Sequence, residues 1–294
     1  MGRQWKAQHR YIQSGDIVYK FDPVKEKQRC IEWIRELFEY NPAFVGKNAV
    51  LGMSGGKDST IAAALIAEAI GPDRVIGIAM PDKNQGINEA DEICKHLGIR
   101  YMCMPIEDVT SGFDRMWYHL KDDSFKWSEQ AKQNIPPRVR MTMLYAVAQT
   151  FNGMVVNTCN LSEDTLGYST IYGDLAGAFS PTKGLTVTEL LAIGDLLDVP
   201  SKWIHKTPDD GLPHSCPDEE KFGFSYAVLD KYICEGITPI GFDGADVTEK
   251  ILEMWNRNAF KEEAVHINSF EPRVYHHTYI SDYCDNETDD GIHI

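Results

Sequence analysis

The 294-residue chain has no apolar run approaching the ~18 residues that cross a bilayer, and Met1-Gly-Arg-Gln-Trp-Lys6 lacks the apolar core of a secretory leader. Neither export nor membrane insertion is expected. Its seven cysteines (Cys30, Cys94, Cys103, Cys159, Cys216, Cys234 and Cys284) form no CxxC pair, and an odd, scattered set reads as reduced thiols of a cytoplasmic protein. The nine histidines include neither HExxH nor a Cys/His zinc spacing, so no zinc is expected. Positive charge is also short: 29 Lys and Arg stand against 44 Asp and Glu, a formal net charge of −15, which argues against a nucleic-acid surface. No repeat or low-complexity segment is visible.

What remains is an ordinary globular composition, 43% hydrophobic and 25% charged, on a chain long enough for one large α/β domain. The expected organisation is an N-terminal arm over residues 1–22, a single domain over 23–268 and an acidic tail over 269–294. Asp22-Pro23 opens a helix whose apolar residues Cys30, Ile31, Ile34, Leu37 and Phe38 fall at helical spacing, and Asn41-Pro42 ends it. Buried strands are expected at 49–53, 74–80, 100–104 and 153–158. Helices are expected at 60–70, 88–97, 138–151 after Pro136-Pro137, 188–197, 200–205, 226–233 and 247–258; limits between 108 and 133 are unclear. This βαβαβ alternation predicts a doubly wound parallel sheet with flanking helices, with ligands beyond the carboxyl ends of its strands.

The rest of the chain is organised around Asn48 to Ile70, which reads as strand, glycine turn and helix. Ser54-Gly55-Gly56 lets backbone N–H groups approach a ligand at a helix N-terminus, where the dipole favours an anion. The Walker pattern fails at two positions, because Leu51 stands where its first Gly belongs and Asp58 follows Lys57. Asp58 beside a polyphosphate makes sense with a bridging cation such as Mg²⁺. The simpler alternative is a glycine turn capped by Asp58 or Ser59. A second turn, Asn157-Thr-Cys-Asn-Leu-Ser-Glu163, follows another buried strand and brings Glu163 to the same sheet end. On spacing alone, Ser162 reads equally well as a helix N-cap and Glu163 as a first-turn acid.

Ser54-Gly-Gly-Lys-Asp-Ser59 resembles the SGGxDS loop of N-type ATP pyrophosphatases. Together with Pro137-Arg138-Val-Arg140-Met141, Asn157 to Glu163, Gly167-Tyr168, Tyr172-Gly-Asp174 and Asp218-Glu219, it resembles the NAD synthetases over roughly residues 25–265. The resemblance implies a Rossmann-like, adenine nucleotide alpha-hydrolase fold. It also implies ammonia-dependent amidation of deamido-NAD, through an adenylylated carboxylate, with AMP and pyrophosphate as co-products. Carried over by position, Gly52, Met53, Ser54, Gly55, Gly56, Lys57, Asp58, Ser59 and Thr158 would bind ATP. Asp58 and Glu163 would be catalytic Mg²⁺ ligands, and Arg138 and Lys261 would bind deamido-NAD. The family's habit implies a homodimer, and the chain has no room for a glutamine amidase domain. Ile171, Ala178 and Val187 replace a Lys, an Asp and a Lys of the family pattern, and Phe260 replaces its usual His. Alternatives are an amidoligase acting on another carboxylate or nucleotide, and a nucleotide sensor without turnover.

Overall fold

In the computed structural model, residues 21–82, 88–120, 127–206 and 218–262 are described, without the side chains of Asn88, 117–120 and Glu262. The described residues belong to one compact unit that ends at Glu262. Most of the arm expected over 1–22 and all of the tail expected over 269–294 lie outside them.

Helix α1 (Pro23–Tyr40) begins where the Asp22 carboxylate accepts from the N–H groups of Val24 and Lys25, with proline in the first turn. Strand β1 (Asn48–Gly52) leads into α2 (Lys57–Ile70), and a short 3₁₀ turn at Pro72–Arg74 delivers β2 (Val75–Ala79). Then come α3 (Asn88–Leu97), β3 (Arg100–Cys103), α4 (Glu107–Leu120), α5 (Glu129–Thr150) and β4 (Gly153–Val155). The chain continues through α6 (Leu161–Leu166), α7 (Val187–Gly194), α8 (Ser201–Ile204), α9 (Asp218–Phe222), α10 (Tyr226–Glu235) and α11 (Thr248–Asn258), with a final 3₁₀ turn at Ala259–Glu262.

The four strands pair in the order β3-β2-β1-β4, all parallel, as the alternation requires. Period-2 alternation splits β1 between two layers. Ala49 and Leu51 enter a core with α1, α2, α3 and α7, whereas Val50 joins Ile76, Ile78 and Val155 against α5. A third apolar cluster, with Leu166, Val187, Phe222, Phe224, Tyr226, Leu229 and Ile251, ties α6, α7, α10 and α11 together beside the sheet.

One element differs substantially from expectation. Helix α5 begins at Glu129, capped by the Ser128 side chain on the Ala131 N–H, and runs through Pro136 and Pro137 instead of starting after them. Two prolines deprive the carbonyls of Lys132 and Gln133 of their intrahelical donors, but both residues are exposed, so water can serve those carbonyls. The weak pattern before it resolves into α4. No described helix is long and apolar enough to cross a membrane.

Candidate functional site

The chain proceeds from β1 to β2 and β3 on one side and returns to β4 on the other. The carboxyl ends of β1 and β4 therefore flank the topological switch point, where an open parallel sheet binds its ligand. Both turns singled out in the sequence emerge there.

After β1 the Met53 N–H still donates to Ile78 O (2.8 Å), and the chain then turns through Ser54, Gly55 and Gly56. Gly55 has φ +79°, a conformation that strains any residue with a Cβ, and an added Cβ would lie 3.2 Å from that of Glu89. Gly56 is the N-cap of α2, and no side chain caps the helix. Capping by Asp58 or Ser59, the simpler alternative, is therefore not what this turn does. Ser59 Oγ and Thr60 Oγ1 instead donate back to Gly56 O at 3.2 and 2.8 Å. The first-turn N–H groups of a 14-residue helix are left without a side-chain acceptor, which is the arrangement that binds an anion.

The second turn is held from beneath. Asn157 accepts from the Cys159 N–H (3.0 Å) and donates to Asp174 O (2.9 Å), while Val156 bridges to Phe179. Gly177 approaches so closely that a Cβ there would come within 2.7 Å of Asn157 Cβ. Asn160, fully buried, then caps α6 with its Oδ1 on the Glu163 N–H (3.0 Å), and Glu163 Oε2 accepts from the Asn160 N–H (3.4 Å). The N-cap is thus Asn160, not Ser162; Ser162 Oγ donates instead to the buried Asp230 of α10 (2.5 Å).

Asn160 also joins the two turns, since its Nδ2 donates to Asp58 Oδ1 (2.9 Å). One residue thereby holds both expected carboxylates, that of Asp58 through its side-chain amide and that of Glu163 through its backbone N–H. Lys57 Nζ lies 2.9 Å from Asp58 Oδ2. Burial by itself lowers the Lys57 ammonium, but Asp58 and then Glu163 outweigh it and the net shift is upward. Glu163 is pushed up to about 8, first by burial and next by the Asp58 charge. Two hard oxygen donors drawn together until one resists ionisation fit a divalent cation such as Mg²⁺, and Asp58 and Glu163 are the residues that would hold it. Thr158 lies half-buried on the second turn. Cys159 is buried, and that burial pushes its thiol up, against nucleophilic use.

The two residues expected at a dinucleotide both contact one segment of the chain. Arg138 is exposed and donates through Nε to Ile171 O (3.3 Å), and Lys261 Nζ donates to Gly167 O (2.7 Å) and Ser169 O (2.9 Å). Both therefore brace residues 167–171. Ile171 contributes its carbonyl to that bracing, Ala178 donates its N–H to Val155 O (2.7 Å), and Val187 packs its side chain in the third cluster. Lys183 pairs with Asp164 (3.3 Å).

The sequence alone assigned no role to Asn160, Tyr168, Asp218, Lys221 or Tyr226. Asn160 was signalled by the Asn-x-x-Glu capping box. Tyr168 donates to Asp218 Oδ1 (2.7 Å), which Lys221 also approaches at 3.2 Å, and Tyr226 packs edge-on to Phe222 (6.0 Å between centroids). No local pattern could have brought α10 to α6.

Residues 26–265 match the family model described as NAD synthase. The NH(3)-dependent NAD(+) synthetase of Methanococcus aeolicus is 36% identical over 211 residues, covering 69% of this chain and 82% of that protein. Among solved structures, the NMN synthetase of Francisella tularensis superposes with a TM-score of 0.74 at 28% identity, over 85% of this chain and 100% of the other. The NH3-dependent NAD synthetase of Campylobacter jejuni gives 0.66 at 25% identity, over 85% and 100%.

Proposed function

Since the chain belongs to the NAD synthase family, we propose that it is an ammonia-dependent ligase that amidates the nicotinate carboxylate of deamido-NAD to NAD, using ATP. The observation that carries this reading is the single Asn160 side chain holding Asp58 and Glu163 together at the uncapped start of α2. A pure nucleotide sensor has no need of paired carboxylates.

The chemistry follows from what the residues offer. A carboxylate is a poor acyl donor until one of its oxygens becomes part of a leaving group. In the proposed first step a nicotinate oxygen attacks the α-phosphorus of ATP and pyrophosphate departs. Ammonia then adds at the acyl carbon, the C–O bond to AMP breaks, and the nitrogen loses a proton. The open N–H groups of Lys57, Asp58 and Ser59, and the Lys57 ammonium, are suited to hold the phosphates that leave. Gly52 to Gly56 let those phosphates approach the backbone, and Thr158 lies on the facing turn. Mg²⁺ held by Asp58 and Glu163 would neutralise polyphosphate charge. Asn160 fixes the separation of the carboxylates, which is positioning of the kind that raises kcat. Arg138 and Lys261, bracing residues 167–171, support a dinucleotide site there.

The protein is proposed to act in the cytoplasm, a reading supported by the reduced thiols of Cys94, Cys103 and Cys159, and as a homodimer. A second reading has a specific support: the superposition on an NMN synthetase, with Ile171 and Val187 in place of cationic residues, favours a nicotinate mononucleotide as substrate. One experiment tests both. Incubation with ATP, Mg²⁺ and ammonium plus either nicotinate nucleotide, followed by mass spectrometry, should give one AMP and one pyrophosphate per amide formed. The preferred substrate will be the one with the higher kcat/KM. ADP and orthophosphate as products would overturn the assignment.

A further inference from the structure

Tyr226 is the first residue of α10 and is 7% exposed, yet its hydroxyl has no hydrogen-bond partner among the described residues. Nothing about the ring asks for that hydroxyl. Its apolar body packs on Phe222 in the third cluster, and the Tyr226 N–H is fixed by Glu219 Oε1 (2.7 Å), so phenylalanine would serve the packing equally well. A buried, unmade O–H is costly, and such a group in a native fold asks for a reason.

The surroundings supply one. Helix α10 is tied to α6 by Asp230, which accepts from Ser162, the neighbour of Glu163, and Phe222, on which the Tyr226 ring packs, also meets Tyr168 (5.0 Å between centroids), whose hydroxyl donates to Asp218. The hydroxyl therefore lies among carboxylates, and burial first, then Glu163, Asp218 and Asp58, push the phenol up. Each of the three is turned to other donors. Asp58 accepts from Asn160 and Lys57, Glu163 from the Asn160 N–H, and Asp218 from Tyr168 and Lys221. The acceptor for Tyr226 must then arrive with a ligand, and an oxygen entering among carboxylates has to come with positive charge. A polyphosphate accompanied by a divalent cation, flanked by Lys57 and Lys221, meets both conditions.

We propose that the Tyr226 hydroxyl is a nucleotide contact, donating its proton in a hydrogen bond to a β- or γ-phosphate oxygen of bound ATP. The inference rests on the reading of this site as an ATP site and adds to it a residue on α10. Tyr226→Phe tests it, because only the hydroxyl is lost. Binding is read by calorimetry and by ligand-induced shifts in Tm, without turnover. The affinity for ATP with Mg²⁺ is expected to fall about 10- to 100-fold, the loss of one hydrogen bond to a charged group. The affinity for AMP should change less than about twofold, and the Tm of the unliganded variant should equal or exceed that of the wild type.

An unchanged ATP affinity, or an equal loss for AMP, would overturn the proposal. So would a lower unliganded Tm, which would mean that the hydroxyl is already satisfied at rest, or a loss of Mg²⁺ affinity measured without nucleotide, which would assign the hydroxyl to the cation's water. If the wild type binds ATP but amidates no nicotinate nucleotide, the proposed reaction fails while the Tyr226 result stands. If the wild type does not bind ATP, the site reading and the Tyr226 contact fail together.

Discussion

Glu163 concentrates the chemistry of the site in one side chain. Its folded pKa, about 8, lies above the ordinary carboxylate value of 4.5, so between those limits the folded protein holds a proton that the unfolded chain releases. Stability contributed by this group is therefore present at low pH and declines as pH rises toward 8. Unliganded Glu163→Gln should show a flatter dependence of Tm on pH between 5 and 9 than the wild type. Cation binding requires the ionised form, so Mg²⁺ affinity of the wild type should climb with pH across the same window, as titration calorimetry at several pH values would reveal. Turnover by Glu163→Gln should drop ~10²-fold or more, with the fold retained, since glutamine can still accept from the Asn160 N–H. If the variant lost stability but kept full turnover, Glu163 would be only a cap. Arg138 offers a contrasting residue: one of its five donors is used, on Ile171 O, and the remaining fork can serve a phosphate or carboxylate. Arg138→Ala should raise the KM for the nicotinate nucleotide about tenfold or more and change that for ATP much less. Equal KM values for the nucleotide in wild type and variant would place its recognition elsewhere.

Among the elements, α6, α7 and α10 form a unit because Asp230 is shared between them. Its carboxylate accepts from Ser162 Oγ on α6 (2.5 Å) and from both the N–H and Oγ1 of Thr188 on α7 (each 2.7 Å). Burial pushes Asp230 up while those donors pull it back, so the carboxylate is held by hydrogen bonds in place of water. Asp230→Ala would strand the buried Ser162 hydroxyl and leave the exposed Thr188 to water, and is expected to cost ~1–3 kcal/mol, measured as a lower urea midpoint with an unchanged m-value. A shift within the error of the midpoint would mean that water replaces the carboxylate. This unit also marks how far the sequence could be read. The Ser-Gly-Gly-Lys-Asp-Ser turn before a helix and the parallel sheet were legible, because apolar strands, a glycine turn and the helix after it are local signals. The start of helix α5 was not, because its two prolines break the usual rule in a stretch where their orphaned carbonyls face solvent. Whether Ser162 capped α6 stayed open on spacing alone, since Asn160 and Ser162 are both competent caps; Asn160 is the cap, and Ser162 Oγ is engaged by Asp230, 68 residues away. Tyr226 comes beside α6 only through the packing of α10, which leaves no trace in local spacing.

At the scale of the molecule, the open question is association. A net charge of −15 makes two copies repel, so a homodimer needs an apolar contact large enough to overcome that field, on the order of 1,000 Å² or more. Helix α4 offers Val109 (48% exposed) and Met116 (68%), seven residues apart and so on one face, and α5, which packs beside it, offers Tyr145 (38%). These side chains are the proposed heart of the interface, since solvent-facing large apolar residues on adjoining helices gain most by burial. Sedimentation equilibrium should then return twice the 33.2 kDa chain mass, with dissociation weakened as salt is raised, because screening removes the like-charge penalty faster than it affects apolar burial. Met116→Glu and Tyr145→Glu should each shift the equilibrium toward monomer while leaving the circular dichroism spectrum and the unliganded Tm of the monomer near wild type. A wild-type protein that sediments at 33.2 kDa at every concentration would remove the dimer. A dimer indifferent to both substitutions would move the interface to another face of the molecule.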